Sequence, residues 1–568
     1  MTLRRRILNW IASTVAIFVI LLAILLGLFR LAAAQLPAYR ADLEEKASIA
    51  VGLPVRFGAV DARLGLSGPE LIFHDARVLD PDSGAVLVRA RRGGVTLDLL
   101  AMIRDGKISA TRVFLDGATL KLERTRDGLV RIPGLETTGA GSGDGLSASE
   151  LPLGIFELTH TNLVVEDLGN ELGPWSFRDV ELQVQNNGRN IIINGRVELP
   201  DDLGESLTVR AELNDIAGGE DIERWQAHVQ AVQLNFSNLS GLTPERFRVI
   251  EEGSGDLGLH VFVEGGQLDH ASVRMDLDDV RIFLSPGSAA SIGYQSIEGR
   301  LELDRVSNGW SVVGKGIQIE QTGRTWERCD IQFDYFDLPA GESVGWPANV
   351  GYEINVSASF VGIEELAVLA GWLPGKEIRD RILEVRPAGR LRNLSVNYKD
   401  RGQEKGEYQV STEFEDLALP SREGVPGLRG VSGQLSATND GGEISLHSKA
   451  LELDAAGMFR APLLFDAVSG ELKWRQSVDG LQVSARNLTI RRQAMQVVTT
   501  ATVDWPDNGE PQIQLNTQVS DLQVADISAL LPVGVMRENL IYWLDNALLA
   551  GSIPEAKLVI DGPLKKIP

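Results

Sequence analysis

Apolar and polar residues alternate along most of this sequence with a period of two, as in the segments 257–264 and 353–360. That period places alternate side chains on opposite faces of a β-strand. Turn-forming dipeptides such as Asn187-Gly188, Asn308-Gly309 and Asp479-Gly480 separate many of the alternating segments, as antiparallel hairpins require. The pattern therefore predicts a mainly β chain that runs as a long antiparallel meander.

Helical spacing interrupts the meander in only a few places. A short polar helix is predicted at Tyr39–Ala50, and strands lead to Leu-Pro-like helix stops near Pro244, Pro374 and Pro532. After the last of these, residues 536–548 carry an apolar stripe with polar residues opposite, which predicts an amphipathic helix. The recurrence of a strand followed by a Leu-Pro-like helix stop indicates repeated modules with a few short amphipathic helices.

The run from Ile7 to Phe29 carries no charge. At about 1.5 Å per residue it is long enough to cross a hydrocarbon core of roughly 30 Å. Arginines 4–6 precede it, which places the N-terminus in the cytoplasm and the body on the far side. A cleaved signal peptide is the alternative, because residues 31–35 include small side chains, and a buried core helix is a third. The length of the run favours a retained single transmembrane helix.

The composition of the chain argues against several classes of function. Lys and Arg number 55 against 78 Asp and Glu, and the resulting net charge of −23 disfavours nucleic-acid binding. Cys329 is the only cysteine, so neither an intrachain disulfide nor a thiolate metal site is expected. Aromatic residues are 6% of the chain while glycines number 59, a mixture that suits many strands joined by tight turns.

A glycine- and serine-rich stretch divides the body of the chain. Because it has too few apolar residues to fold, it is predicted to be a flexible linker. The predicted regions are 1–35 (N-terminal tip and transmembrane helix), 36–136 (N-terminal β module), 137–150 (linker) and 151–568 (repetitive β region). Residues 557–568 have the pattern of a strand that begins another module, so we expect the last region to be cut short.

No motif predicts catalysis. Gly253–Gly258 has the GxGxxG spacing of a dinucleotide site, but no helix follows, which favours a turn between strands. The 6 histidines lack metal-ligand spacing, and Asp276, Asp278 and Asp279 lack the glycine and glutamate of a calcium loop, which favours a solvated strand edge. We therefore expect no enzyme, no metal site and no cofactor.

Several segments resemble the AsmA-like family of bacterial proteins. Gly52–Val55, Asp116–Arg124 and Ile132–Leu135, which follow the apolar helix, are similar to the first module of that family. Leu199–Gly204 and Leu531–Gly562 resemble its long members rather than its short ones. The resemblance covers nearly the whole chain.

This resemblance implies an inner-membrane protein of a Gram-negative bacterium whose periplasmic part forms an elongated, curled antiparallel sheet, an open β groove. It implies conduction of phospholipid between the inner and outer membranes, in support of outer-membrane lipid homeostasis and barrier function. The implied partners are phospholipid acyl chains, the inner membrane, and outer-membrane or periplasmic proteins. A structural or assembly factor that holds envelope proteins through exposed sheet edges is the alternative.

Such a groove would use the apolar face of the sheet, since few helices are predicted to cover it. Ordinary packing of that face explains the alternation equally well. The candidate groove-lining residues are Leu120, Leu122, Leu257, Leu259, Val261, Val263, Ile354, Val356, Phe360, Ile513, Leu515 and Val519. Trp372 and Trp543 are candidates for the edge or cap of the groove, because tryptophan favours interfaces.

Overall fold

A computed structural model of the chain provides the fold. It describes residues 2–65, 68–81, 83–98, 102, 104, 110–124, 130–131, 153–167, 172–214, 224–239, 249–284, 290–338, 351–364, 385–401, 406–422, 425–455 and 457–563. The predicted linker at 137–150 and the candidate cap residue Trp372 lie outside these ranges.

The chain begins with the long apolar helix α1, Thr2–Gln35, followed by a 3₁₀ turn at Leu36–Tyr39 and helix α2, Arg40–Val51. Helix α2 confirms the short polar helix expected at this position. It ends where Gly52 adopts a left-handed conformation with φ of 78°, and the Gly52 N–H donates to the Ser48 carbonyl at 2.8 Å.

The chain folds into two compact units, Met1–Leu242 with Ser254–Val273, and Thr243–Gly253 with Arg274–Pro568. Strands β12, Ile250–Glu264, and β13, Gln267–Phe283, are divided between the units. The strands wholly inside the first unit are β1 Val55–Arg56, β2 Ala59–Gly65, β3 Gly68–Leu79, β4 Val86–Leu97, β5 Ala110–Arg124, β6 Val130–Arg131, β7 Gly154–Asp167, β8 Leu172–Asn186, β9 Ile191–Glu198, β10 Ser206–Asn214 and β11 Arg224–Asn235.

The strands wholly inside the second unit are β14 Ser291–Val306, β15 Gly309–Gln321, β16 Arg324–Thr325, β17 Cys329–Asp337, β18 Tyr352–Gly362, β19 Ala388–Asp400, β20 Glu407–Leu419, β21 Gly427–Thr438, β22 Gly441–Asp454, β23 Leu463–Ser477, β24 Gly480–Arg492, β25 Met495–Pro506, β26 Gln512–Gln523 and β27 Ser552–Pro563. Three short helices complete the described elements: α3 Phe236–Leu239, α4 Val524–Leu530 and α5 Glu538–Ala547.

Most strands pair with their neighbours in the chain, and the exceptions are the pairs β1–β3, β5–β7 and β15–β17. The turn at Asn308 joins β14 to β15 as an antiparallel hairpin, and the turn at Asp479 joins β23 to β24, as the turn dipeptides predicted. Among the described residues the strands form one sheet, and no pairing joins β1 or β2 to β26 or β27, so the sheet is open and does not close into a barrel. A mainly β chain with an open sheet, few helices and one N-terminal apolar helix is therefore confirmed.

One described strand pair is parallel. Strands β5 and β7 run side by side in the same direction, with Leu115 opposite Leu158 and Leu120 opposite Leu163. The predicted linker lies between these two strands in the sequence. The strands on its two sides thus belong to one sheet, and the proposed boundaries of the N-terminal module and the linker stay a prediction.

Candidate functional site

In the first unit the strand register places apolar residues opposite apolar residues. Leu259 in β12 lies opposite Val229 in β11, and Val229 lies opposite Val209 in β10. From β9 to β5 the same row continues through Gly195, Leu182, Leu158 and Leu115. Directly opposed residues share a face of a sheet. One face of this unit is therefore apolar from β5 to β12.

The other face of the first unit is polar. His260 lies opposite His228, and His228 lies opposite Arg210. The row continues through Asn194, Gln183 and Glu157. The Gln183 amide donates to the Glu157 carboxylate at 2.9 Å, so polar groups on this face pair with one another across strands.

The second unit repeats this division over more strands. Val356 in β18 lies between Phe333 in β17 and Val396 in β19. The complete row from β14 to β26 is Leu303, Val312, Phe333, Val356, Val396, Val410, Ala437, Gly442, Trp474, Val483, Val503 and Ile513. This apolar row is uninterrupted by a charge.

Ion pairs cross the opposite face of the second unit. Lys399 Nζ lies 3.0 Å from Glu353 Oε2, and Lys473 Nζ lies 3.1 Å from Glu443 Oε2. The hydrogen bond from Lys399 holds the pKa of the Glu353 carboxyl below its ordinary value, because the pairing favours the ionised form. The sheet is therefore amphipathic in both units, with one apolar and one charged face.

The apolar rows are half-buried. Phe333, for example, keeps 37% of its surface exposed although both of its cross-strand neighbours are apolar. Among the described elements, the main packing of these strands is against their hydrogen-bonded neighbours. Where the structure describes it, the middle of each apolar face thus lacks the covering layer that a closed core would have.

Small cores close one margin of the apolar face in the first unit. Trp175, Leu199 and Leu203 are buried together, and Val197 and Leu207 pack against them. Leu199 and Leu203 belong to the β9–β10 loop, at the strand ends opposite the tight Asn187-Gly188 turn. The loops at that end of the strands therefore cover the face locally.

A similar core closes one margin of the apolar face in the second unit. Trp326, Cys329 and Phe360 are buried together near the β16–β17 loop. Burial raises the pKa of the Cys329 thiol to about 11. Because a reactive cysteine needs thiolate character and access to solvent, Cys329 is a packing residue.

A β-bulge separates this margin from the middle of many strands. In β20 the register shifts between Phe414 and Leu417, where Asp416 has φ of 52°, and in β24 it shifts next to Asn487, with φ of 50°. A bulge bends a strand and increases its twist. Gly470 of β23, with φ of 148°, lies directly against the Asn487 bulge. Neighbouring bulges thus lie side by side and bend adjacent strands together.

The bulges were missed at the sequence level, although a signal exists. In several strands a short polar residue in the left-handed region precedes leucine and breaks the alternation. These dipeptides are Asn393-Leu394, Asp416-Leu417, Asn487-Leu488 and Asp521-Leu522. Gly299 and Gly470 occupy the same kind of position in β14 and β23.

The candidate groove-lining residues lie in the four strands β5, β12, β18 and β26. The strand register gives the residues that lie opposite them on neighbouring strands. Leu257, Leu259, Val261 and Val263 face Ala231, Val229, Ala227 and Trp225. Ile354 and Val356 face Tyr398 and Val396, and Leu120 and Leu122 face Leu163 and Val165. Ile513, Leu515 and Val519 face Val503, Ala501 and Val497. The register thus aligns eleven of the twelve candidates with apolar or aromatic side chains on one face of the sheet. Phe360 is the exception, because it lies opposite Arg392.

Two candidates differ from the others in burial. Val263 and Phe360 are only 8% and 6% exposed, and Phe360 belongs to the small core with Cys329. The other ten are half-buried. Contact of any of them with lipid stays a prediction.

The candidate cap residue Trp543 lies in α5 with 62% of its surface exposed. Ile541 and Leu544 of the predicted apolar stripe are half-buried, whereas Leu540 faces solvent. An ion pair attaches this helix to Arg460, whose Nη2 donates to the Asp545 carboxylate at 2.6 Å. A role for Trp543 as a cap also stays a prediction.

The structure explains the discounted motifs. Gly253–Gly258 lies inside β12, with Gly253 and Gly255 at φ of 131° and 148°, so the interpretation as a turn between strands was wrong. Asp276, Asp278 and Asp279 lie inside β13, and Asp279 occupies a left-handed position. Among the described residues, no group of three or more His, Cys, Asp or Glu side chains could hold a metal ion.

Helix α1 is the remaining candidate functional element. It is the one helix among the described residues that is long and apolar enough to span a membrane, and the side chains of its apolar window are exposed. Val15, Ile20 and Leu28 are among these exposed residues. In water such a surface would be unfavourable, which fits a helix surrounded by lipid.

Comparison with known proteins decides the family. The family model described as YhdP protein matches residues 1–568. The chain belongs to the YhdP family. The sequence resemblance to AsmA-like proteins of the long type is thereby confirmed.

A curated relative carries the same family name. The chain is 23% identical over 576 residues to the intermembrane phospholipid transporter YhdP of Escherichia coli (strain K12). The match covers 98% of this chain and 43% of the relative, so the chain spans less than half of the relative's length. No solved structure matches this chain.

Proposed function

We propose that this member of the YhdP family moves phospholipid between the inner and outer membranes and so supports outer-membrane lipid homeostasis and barrier function. The observation that carries the proposal is the apolar row in each unit, aligned strand by strand and half-exposed in the middle of the face. The description of the E. coli relative as an intermembrane phospholipid transporter supports it.

The apolar face matches the chemistry of acyl chains. Removing apolar surface from water gains about 25 cal/mol per Å², or ~0.8 kcal/mol per methylene. A phospholipid that lays its tails along the rows would gain this energy at each position, and the gain changes little from one aliphatic row to the next. A nearly uniform binding energy allows a lipid to move along the face, so no chemical reaction is required of the protein.

Helix α1 is proposed to hold the chain in the inner membrane. Arginines 4–6 lie before the apolar run, which favours a cytoplasmic N-terminus and a periplasmic body. In that arrangement the first β module follows the membrane directly, because only a 3₁₀ turn and α2 separate α1 from β1.

Site-specific photocrosslinking in cells tests this function. A photoreactive residue at Leu259 or Val356 on the apolar face should capture phospholipid, detected by mass spectrometry of the purified adduct. The matched controls are His260 and Asn355, which are adjacent to Leu259 and Val356 in the same strands but lie on the polar face. Equal capture from both faces, or capture only at the controls, would refute the assignment of the lipid-bearing face.

The alternative of an assembly factor predicts a different result. If the chain acts by adding strands of partner proteins to a sheet edge, a charge at Val356 should leave the function intact. A proline in β27, which among the described residues pairs only with β26, removes a backbone donor and should then abolish it. Loss of outer-membrane barrier function with the charge and not with the proline would favour the lipid route.

A further inference from the structure

Three tyrosines form a cluster on the apolar face of the second unit. The rings of Tyr335 and Tyr352 are stacked with centroids 6.1 Å apart, and those of Tyr352 and Tyr398 are tilted with centroids 5.9 Å apart. They come from the neighbouring strands β17, β18 and β19. Tyr335 and Tyr398 lie opposite Ile354 in the register, so the cluster belongs to the apolar face.

Two carboxylates flank the middle ring. Asp337 and Asp400 lie directly opposite Tyr352 on its two sides. Since adjacent strands are ~4.8 Å apart, one carboxylate stands on each side of the tyrosine. The Tyr335 hydroxyl donates to Asp337 Oδ1 at 3.0 Å, which directs one phenol toward this acidic group.

The cluster occupies the end of the strands opposite the closed margin. The core of Trp326, Cys329 and Phe360 lies at the other end, where β17 begins and β18 finishes. Aliphatic residues such as Val356 and Val396 fill the rows between. Along these strands the face therefore passes from a closed core, through an aliphatic middle, to an aromatic and acidic rim.

Aromatic rings beside carboxylates are the surroundings that organic ammonium groups prefer. The ring face attracts a cation, the carboxylates neutralise it, and the tyrosine hydroxyls add hydrogen-bonding groups. Tyrosine also favours the boundary between an apolar and an aqueous phase. A phospholipid with its tails on the aliphatic rows would place its headgroup at such a boundary.

We propose that Tyr335, Tyr352 and Tyr398, with Asp337 and Asp400, form a headgroup subsite that favours phospholipids bearing an ammonium group over anionic phospholipids. This inference rests on the proposed function and adds to it an orientation and a substrate class. The tails point toward the closed margin, and the headgroup stays at the rim. Among the described basic residues beside Asp400, Lys399 is paired with Glu353 on the other face and Arg401 lies 3.7 Å from Glu407.

The test measures which lipids the purified full chain retains. The detergent-solubilised protein is incubated with equimolar phosphatidylethanolamine and phosphatidylglycerol of identical acyl chains, and bound lipids are quantified by mass spectrometry. We expect enrichment of phosphatidylethanolamine by about two- to fivefold, the range that an exposed cation–π contact supports. The double variant Asp337→Asn/Asp400→Asn should return the ratio to that supplied, with total bound lipid unchanged.

The control uses the same charge change on the other face. Asp304 and Asp334 flank Ser311 across three neighbouring strands, as Asp337 and Asp400 flank Tyr352. Asp304→Asn/Asp334→Asn should therefore keep the preference. Tyr352→Leu, which retains an apolar side chain, provides a second variant that should reduce it, and circular dichroism checks the fold of each.

Each outcome of this experiment either supports or overturns the headgroup subsite. Lipid bound without headgroup preference, enrichment of phosphatidylglycerol, or a preference that survives Asp337→Asn/Asp400→Asn overturns the subsite and leaves the proposed function standing. Failure to retain any phospholipid overturns the proposed function and the subsite with it. Glycerophosphoethanolamine, which has the headgroup without tails, should not displace the bound lipid.

Discussion

Gly470 shows how one residue sets the path of a strand. Its φ of 148° belongs to a region that favours glycine, and a Cβ there would lie 2.7 Å from the Cα of Leu488 in the next strand. The bulge of β23 and the Asn487 bulge of β24 can therefore lie against each other only while position 470 has no side chain.

Gly470→Ala is expected to destabilise the chain by about 1–3 kcal/mol, the usual cost of a strained backbone position. Urea unfolding followed by circular dichroism measures the change. Gly293→Ala is the matched control, since Gly293 is also in a strand but has no atom within 4 Å of its Cβ position. Its effect should be ~0.5 kcal/mol or less. Equal effects of the two variants would show that the Gly470 bulge is not constrained.

The period-two pattern predicted the faces of individual strands well, because alternation is a local property of the backbone. Leu259 and His260 lie on opposite faces, as expected. The alternation alone did not place the bulges. A single left-handed residue such as Asp416 shifts the register, and its conformation cannot be read from the alternation of apolar and polar residues. The tyrosine rim was also missed, because Tyr335, Tyr352 and Tyr398 come together only through cross-strand register.

At the scale of elements, Glu44 fastens helix α2 to the first strand. Its side chain is only 5% exposed, and its carboxylate accepts from the Phe57 N–H at 2.9 Å and from Arg56 Nη1 at 3.0 Å. On the same helix Leu43 and Ala47 pack against a core that includes Phe57. The helix is thus joined to the sheet by both apolar packing and a buried carboxylate.

Glu44→Ala should cost about 2–4 kcal/mol, because it leaves the Phe57 N–H without its partner and removes a charged acceptor. The loss should be local, with faster hydrogen exchange in α2 and around Phe57 and little change in the second unit. Glu45→Ala is the control, since Glu45 is exposed on the same helix turn. Faster exchange spread evenly over both units would contradict a local role.

Which elements pair was predictable only where the chain turns back at once. The Asn308-Gly309 and Asp479-Gly480 turns correctly predicted hairpins, because a tight turn leaves the two strands no other partner. The parallel pair β5–β7 was not predictable in this way. The two strands are far apart in the sequence, and a local residue pattern does not predict the register between strands that are not neighbours in the chain.

At the scale of the whole molecule, the proposed route starts at the membrane anchor and runs across the strands along the apolar face of the first unit. A lipid that enters at the anchored end of this unit would meet Leu182 in β8 before it meets Leu259 in β12. A charge at the earlier position should act as a barrier, because moving an acyl chain past a solvated ion forfeits the apolar contact that holds the lipid on the face. The two positions therefore give an ordered pair with which to test the route.

The experiment combines a block with a downstream probe. With a photocrosslinker at Leu259, Leu182→Arg should reduce phospholipid capture about tenfold or more, as a barrier of roughly 1.4 kcal/mol or higher implies. Gln183→Arg, with the same charge on the polar face of the same strand, should leave capture unchanged. In the reverse arrangement, Leu259→Arg should not reduce capture at Leu182, since lipid would reach that position first. No loss in either arrangement would mean that lipid enters the face along its length, and the ordered route from the anchored end would then be wrong.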